Sequence, residues 1–327
     1  MKKYFFVIYV FCFLSCEKKS EKSEEKAFIA EQNWFFKKHT FLYVSASLNV
    51  QKSIKALFSK PKQLLKAIQT ATKQTFCDTL LEFQTLTVGR HKVDIARPQK
   101  QSIGNLLVLQ GFAFPKDDWC KKSSLCRKAL AEGYTLIMPE MGKSNYMSKL
   151  YPETRPDWRK EPQKHWLTDT LFQLLQEKYC LLLPTQKNFA VGLSTGARGV
   201  AVVALAKPEL FKAVAALSGD YEQTKIPQDR VHIGYMGSYQ QFPKRWAEEE
   251  NIVFQIKKWQ TPIYIGHGKL DKVCPYQQSQ IFYEALVKNH PQLPVKLSLP
   301  AQYAHDYRYW DSEVENILAF FRQFLKK

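Results

Sequence analysis

The sequence predicts an α/β protein built on an open, mostly parallel sheet with helices on both faces. Two patterns lead to that fold class. Short apolar runs closed by turn residues recur along the chain, and amphipathic segments of helical period stand between them. Composition agrees: 45% of the 327 residues are hydrophobic and 24% charged, with only 13 Gly and 16 Pro, which excludes a disordered or collagen-like chain. No stretch reaches the roughly 18 apolar residues that a membrane-spanning helix needs, which excludes a polytopic membrane protein.

The elements follow in order. Leu81, Phe83, Leu86 and Val88, then Gly89 and Arg90, then Val93 and Ile95, alternate as a β-hairpin does. Residues 106–109 and 134–138 are short apolar runs, with helical spacing at Leu125, Leu130 and Ala131 between them, as a parallel crossover requires. Residues 166–179 form a second amphipathic helix and 189–193 a third buried strand. An Ala-rich helix and a strand at 214–217 come next. Two more strands, 263–266 and 295–299, flank a helix carrying Ile281, Leu286 and Val287, and Val314, Ile317, Leu318, Phe321 and Leu325 mark a closing helix over 314–325. Two stretches show no such period and read as insertions. One, 143–164, carries Tyr146, Tyr151 and Trp158; the other, 221–259, carries Tyr235, Met236, Tyr239, Phe242 and Trp246. Their aromatics either line a pocket for an apolar or sugar-like group or pack a core of the insert's own.

Ahead of this body, which spans 79–327, the chain has three segments. Lys2 and Lys3 precede an apolar run that ends at Ser15, too short to span a membrane and suited to a signal-peptide core over 1–15. Phe13, Leu14, Ser15 and Cys16 give way to a charged stretch through Lys26, which resembles a bacterial lipobox and tether over 16–26. By that resemblance Cys16 carries lipid and holds the protein to the bilayer of the cell envelope, facing the periplasm or the surface. A cleaved signal with an incidental Cys16 is the alternative. Residues 27–78 carry Ile54, Leu57, Phe58, Leu64, Leu65 and Ile68 at helical spacing, broken at Pro61, and read as a helical extension.

The net charge of +18 favours anionic surfaces, but the basic residues are spread along the chain and no nucleic-acid-binding signature accompanies them. Nucleic acid is therefore not an expected partner. With no C-x-x-C, metal is not expected either, and nothing calls for a cofactor. Export permits disulfides, and Cys120 and Cys126 are close enough in sequence to pair, although no connectivity follows from sequence alone.

The chemistry centres on Gly192, Leu193, Ser194, Thr195 and Gly196, a G-x-S-x-G between an apolar strand and a helix of small residues. A sharp strand-to-helix turn lifts a serine out of the sheet, and the glycines Gly192 and Gly196 let strand and helix approach without a Cβ clash. A serine hydroxyl needs a base, and the base needs an orienting acid. Asp271 follows the 263–266 strand, 77 residues after Ser194, and His305 follows the 295–299 strand, 34 residues further on. Asp220, after the 214–217 strand, is an alternative acid. His267 stands beside the same strand end as Asp271 and is expected to brace that acid's loop. His39, His91, His165, His232 and His290 carry no partner signal.

With Ser194, Asp271 and His305 in that order, the Gln110–Gly111–Phe112 segment after the 106–109 strand, and His305–Asp306–Tyr307 with Trp310, residues 80 to 327 resemble the α/β-hydrolase superfamily and its esterase-like serine hydrolases. The resemblance implies Ser194 as nucleophile, His305 as base then acid, Asp271 as the carboxylate behind it, and backbone N–H groups of Thr195 and Phe112 as the oxyanion hole. It implies a carboxylic-ester hydrolase acting on a small-molecule or glycan-linked ester. A peptidase of the same fold, and a non-catalytic binding lipoprotein that keeps the fold, are the alternatives.

Overall fold

The computed structural model describes residues 83–326. The signal segment, Cys16 and its tether, the 27–78 extension and the first residues of the hairpin lie outside the described residues.

Among the described residues eight strands form one sheet: β1 (Phe83–Val88), β2 (His91–Ala96), β3 (Gly104–Leu109), β4 (Tyr134–Pro139), β5 (Asn188–Leu193), β6 (Ala213–Leu217), β7 (Ile263–Gly266) and β8 (Val295–Ser298). Their spatial order is β1-β2-β4-β3-β5-β6-β7-β8. The hairpin runs antiparallel, β2 pairs antiparallel with β4, and every later pairing is parallel. This is the α/β-hydrolase fold.

The central strands β3, β4, β5 and β6 are buried at every residue, which is why their sequences are continuous apolar runs and not alternating ones. Successive side chains feed opposite layers. Leu107 and Leu109 join Phe172, Leu175, Val200 and Phe282 on one face, while Leu106 and Val108 join Trp119, Leu125, Ile317 and Phe321 on the other. The α-helices among the described residues are α1 (Asp118–Lys122), α2 (Leu125–Glu132), α3 (Phe172–Tyr179), α4 (Thr195–Ala206), α5 (Arg230–Met236), α6 (Gln277–Asn289), α7 (Tyr307–Ser312) and α8 (Val314–Arg322). Cys120 and Cys126 form a disulfide that ties α1 to α2.

Three local differences from the sequence reading have physical causes. The helix expected over 166–179 opens as a π turn, Trp166–Leu171, before α3 begins. The closing helix stops at Arg322 rather than Leu325 because its last residues tighten into i→i+3 turns, Phe324 N–H donating to Phe321 O at 3.0 Å. Finally, α1, α5 and α7 are five to seven residues long, too short to repeat a helical period.

The insertions meet each other. Met147, Tyr151 and Trp158 from the first pack with Tyr235, Met236 and Trp246 from the second into a buried aromatic cluster. Most of the aromatics singled out in the sequence thus form the core of a cap. Phe112, beyond the end of β3, packs on that cluster, so the cap sits against the carboxyl ends of the strands, where open α/β sheets place their sites.

Candidate active site

Ser194 stands between β5 and α4 with φ 54° and ψ −127°, a conformation costly to a non-glycine residue and held by its surroundings. Its N–H donates to the Leu217 carbonyl of β6 at 2.8 Å. The flanking glycines are there for close approach: a Cβ on Gly192 would lie 2.2 Å from the Gly196 carbonyl oxygen, and one on Gly196 would lie 2.4 Å from that of Leu109. The backbone crowding that strains Ser194 also presents its hydroxyl above the sheet.

Asp271 comes from the loop after β7 and His305 from the loop after β8. These loops are bonded together, with Leu270 N–H donating to Tyr303 O at 2.8 Å and Lys269 N–H to Pro300 O at 3.0 Å. His305 Nδ1 lies 2.6 Å from Asp271 Oδ2, and its Nε2 lies 3.0 Å from Ser194 Oγ. The imidazole rests edge-on against Trp310, ring centroids 5.1 Å apart, and Trp310 is fixed by its indole N–H donating to Ser218 Oγ. Asp306 caps α7 by accepting the Tyr309 N–H, which orients the segment that carries His305.

Asp271 is buried, and burial would raise its pKa, but the hydrogen bonds it receives hold it well below the usual carboxylate range. Its Oδ1 accepts the backbone N–H groups of Val273 and Cys274, each at 2.8 Å, and its Oδ2 faces both His305 and His267. The sequence placed His267 as a brace for this loop. The structure places it on the carboxylate itself, Nε2 3.1 Å from Oδ2.

The alternative acid, Asp220, meets a different imidazole. Its Oδ1 lies 3.1 Å from His232 Nε2 and 3.7 Å from Arg198 Nη1, while His232 Nδ1 lies 2.9 Å from Asp229 Oδ1. His232, read from the sequence as partnerless, and Arg198, not noticed there at all, are both buried. Arg198 did carry a signal: it is the single charge in a helix otherwise made of small and apolar residues, one turn after Ser194.

The sequence reading names the backbone N–H groups of Thr195 and Phe112 as anion donors. Thr195 opens α4, so its N–H has no partner within the helix. The Phe112 N–H has no acceptor among the described residues. Its loop is held by Gln110, which donates from Nε2 to Pro139 O at 2.7 Å, and by the Ala113 N–H bonded to Gly142 O at 2.7 Å. Phe112 also packs edge-on against Trp158 of the cap, centroids 5.1 Å apart. The arrangement of Ser194, His305 and Asp271 can take a proton from a hydroxyl and pass it to a leaving group.

The sequence pattern of the prolyl oligopeptidase family matches residues 127–327. Among curated proteins nothing matches. Among solved structures, an S-formylglutathione hydrolase from Agrobacterium tumefaciens is similar, with a TM-score of 0.59 at 16% identity over 74% of this chain and 94% of that one. A ferulic acid esterase gives 0.53 at 16% identity, covering 74% and 97%. A putative dipeptidyl aminopeptidase IV from Bacteroides ovatus gives 0.55 at 15% identity, covering 74% of this chain but 35% of that one. At these identities the similarity shows the shared fold.

Proposed function

This chain belongs to the prolyl oligopeptidase family and is a serine hydrolase of the α/β fold, and from that premise we propose that it hydrolyses carboxylic esters through an acyl-enzyme, using Ser194, His305 and Asp271. The observation that carries the reading is the imidazole of His305 set 3.0 Å from Ser194 Oγ and 2.6 Å from Asp271 Oδ2. Ser194 Oγ attacks the ester carbonyl while its proton passes to His305 Nε2. The oxyanion sits on the N–H groups of Phe112 and Thr195. Collapse breaks the bond to the alcohol oxygen, which takes the proton from His305. Water then repeats the sequence on the acyl-Ser194 ester and releases the acid.

The preference for esters over peptides draws support from the ester-type neighbours, which this chain matches over nearly their whole length. Family membership supports a peptidase as the second reading. Export and a lipid anchor at Cys16 belong to the proposal too, supported by the amino-terminal pattern and by a disulfide suited to an oxidising compartment. Hydrolysis of short and long p-nitrophenyl esters, beside aminoacyl p-nitroanilides, tests the substrate class. Ester turnover lost in Ser194→Ala supports the proposal; faster anilide cleavage would replace the esterase with a peptidase. Incorporation of labelled palmitate that survives Cys16→Ser would remove the anchor.

A further inference from the structure

We propose that His267 is a positioning residue of this site: a neutral imidazole that donates its Nε2–H to Asp271 Oδ2 and so shares with His305 the oxygen that orients the base. The inference rests on the serine-hydrolase reading above and extends it from three side chains to four.

The geometry fixes where the proton is. His267 Nε2 lies 3.1 Å from Asp271 Oδ2 and 3.0 Å from the Cys274 carbonyl oxygen. An ionised carboxylate and a carbonyl can only accept, so Nε2 carries the hydrogen and divides it between them. Nδ1 lies 2.8 Å from Ser279 Oγ on α6, a hydroxyl able to donate to the ring's remaining lone pair. The ring is fully buried, and these partners satisfy both nitrogens of an uncharged imidazole.

His305 completes the set. Its Nδ1–H donates to the same Oδ2, and the Val273 and Cys274 N–H groups occupy Oδ1. Four donors use the whole acceptor capacity of one carboxylate. A carboxylate so occupied holds the His305 imidazolium less tightly than one facing that imidazole alone. His267 therefore pins the oxygen to which His305 points.

Among the described residues, the groups bonded to His267 are Asp271, the Cys274 carbonyl and the Ser279 hydroxyl. Beyond them stand the Cys274 thiol and the phenols of Tyr221 and Tyr309, which interact with Asp271 or Ser279. Burial pushes that thiol and both phenols upward, so all three remain protonated. Asp220 acts on this region through the Cys274 thiol and the Tyr221 phenol. Around His305 stand Ser194, Asp271, the Trp310 ring and the helix-capping Asp306.

The test is the pH profile of kcat/KM for a p-nitrophenyl ester in His267→Phe and His267→Gln. Phe keeps a flat ring without the donor, and the acid limb is expected to move up by roughly 0.5 to 1 unit with KM unchanged. Gln can place an N–H at the same oxygen and is expected to return the limb to the wild-type position. An unmoved limb in an active Phe variant, or equal shifts in both variants, overturns the proposal. Should the Phe variant fail to fold, 15N shifts of the wild-type histidines decide. A neutral Nε2–H tautomer for His267 from about pH 6 to pH 9 supports the assignment, and an Nδ1–H tautomer or an imidazolium overturns it. Failure of a fluorophosphonate to label Ser194 would sink the hydrolase reading itself, and the 15N result would still judge His267.

Discussion

Arg198 and Glu250 are joined twice: the guanidinium Nη2 donates to the Glu250 carbonyl oxygen at 2.8 Å and stands 3.5 Å from its carboxylate, with both residues buried. Arg198 Nε also donates to Asn145 O, and the Glu250 carboxylate accepts the Ser148 N–H and the Tyr151 hydroxyl. One arginine, a turn into the helix that begins beside Ser194, thus ties both insertions to the site. Arg198→Met would leave Glu250 without its buried counter-ion and Asp220 with His232 alone. A loss of about 3–5 kcal/mol is expected in urea unfolding. A loss under about 1 kcal/mol would show that the network does not hold the cap.

His232 makes stability depend on pH. Burial alone would lower its pKa, but Asp220 and Asp229 outweigh burial and raise it to about 9, against 6.5 for a free imidazole. A folded value above the unfolded one means that the native state holds a proton the unfolded chain releases. The stabilisation is complete below about pH 6.5 and lost as pH rises to about 9, on the order of 3 kcal/mol in all. Unfolding free energies measured at intervals across that range should fall in the wild type and fall less steeply in His232→Asn. Parallel curves would contradict the assignment.

The two candidate acids are separable by kinetics. Asp271→Asn removes the carboxylate beside His305 and should lower kcat by roughly 10⁴-fold. Asp220→Asn should leave the ester rate within a few-fold of wild type while costing stability, because its partners are His232 and Arg198. The reverse pattern in stopped-flow and steady-state assays would return the acid role to Asp220.

Gly196→Ala should damage activity out of proportion to its size. The added methyl would press on the backbone carbonyls of Leu109 and Gln110, which cannot move aside without shifting the loop after β3. A fall in kcat of more than about tenfold is expected, with a lower melting temperature. Wild-type kinetics would show that the turn has room to spare.

Much of the fold was legible because it is written locally. β3 to β6 carry apolar runs, with polar residues only at their entry (Asn105, Thr135 and Asn188), and α8 repeats Val314, Ile317, Leu318 and Phe321 at helical spacing. The turn at Ser194 was equally legible, since a glycine on each side reports a backbone contact that no side chain could allow. The short helices α1, α5 and α7 were not legible, because less than two turns cannot show a period.

The sequence by itself determined the order of strands and helices, the strained serine, and two candidate acids with one histidine placed to meet either. Only the tertiary structure decided which carboxylate meets which imidazole. Asp220 and Asp271 both follow the carboxyl end of a parallel strand, so spacing does not separate them. Asp271 reaches His305 because the β7 and β8 loops bond to each other, and Asp220 reaches His232 because the second insertion folds back over α4. A buried charge is tolerated only beside its partners, and those partners are brought together by packing across the sheet.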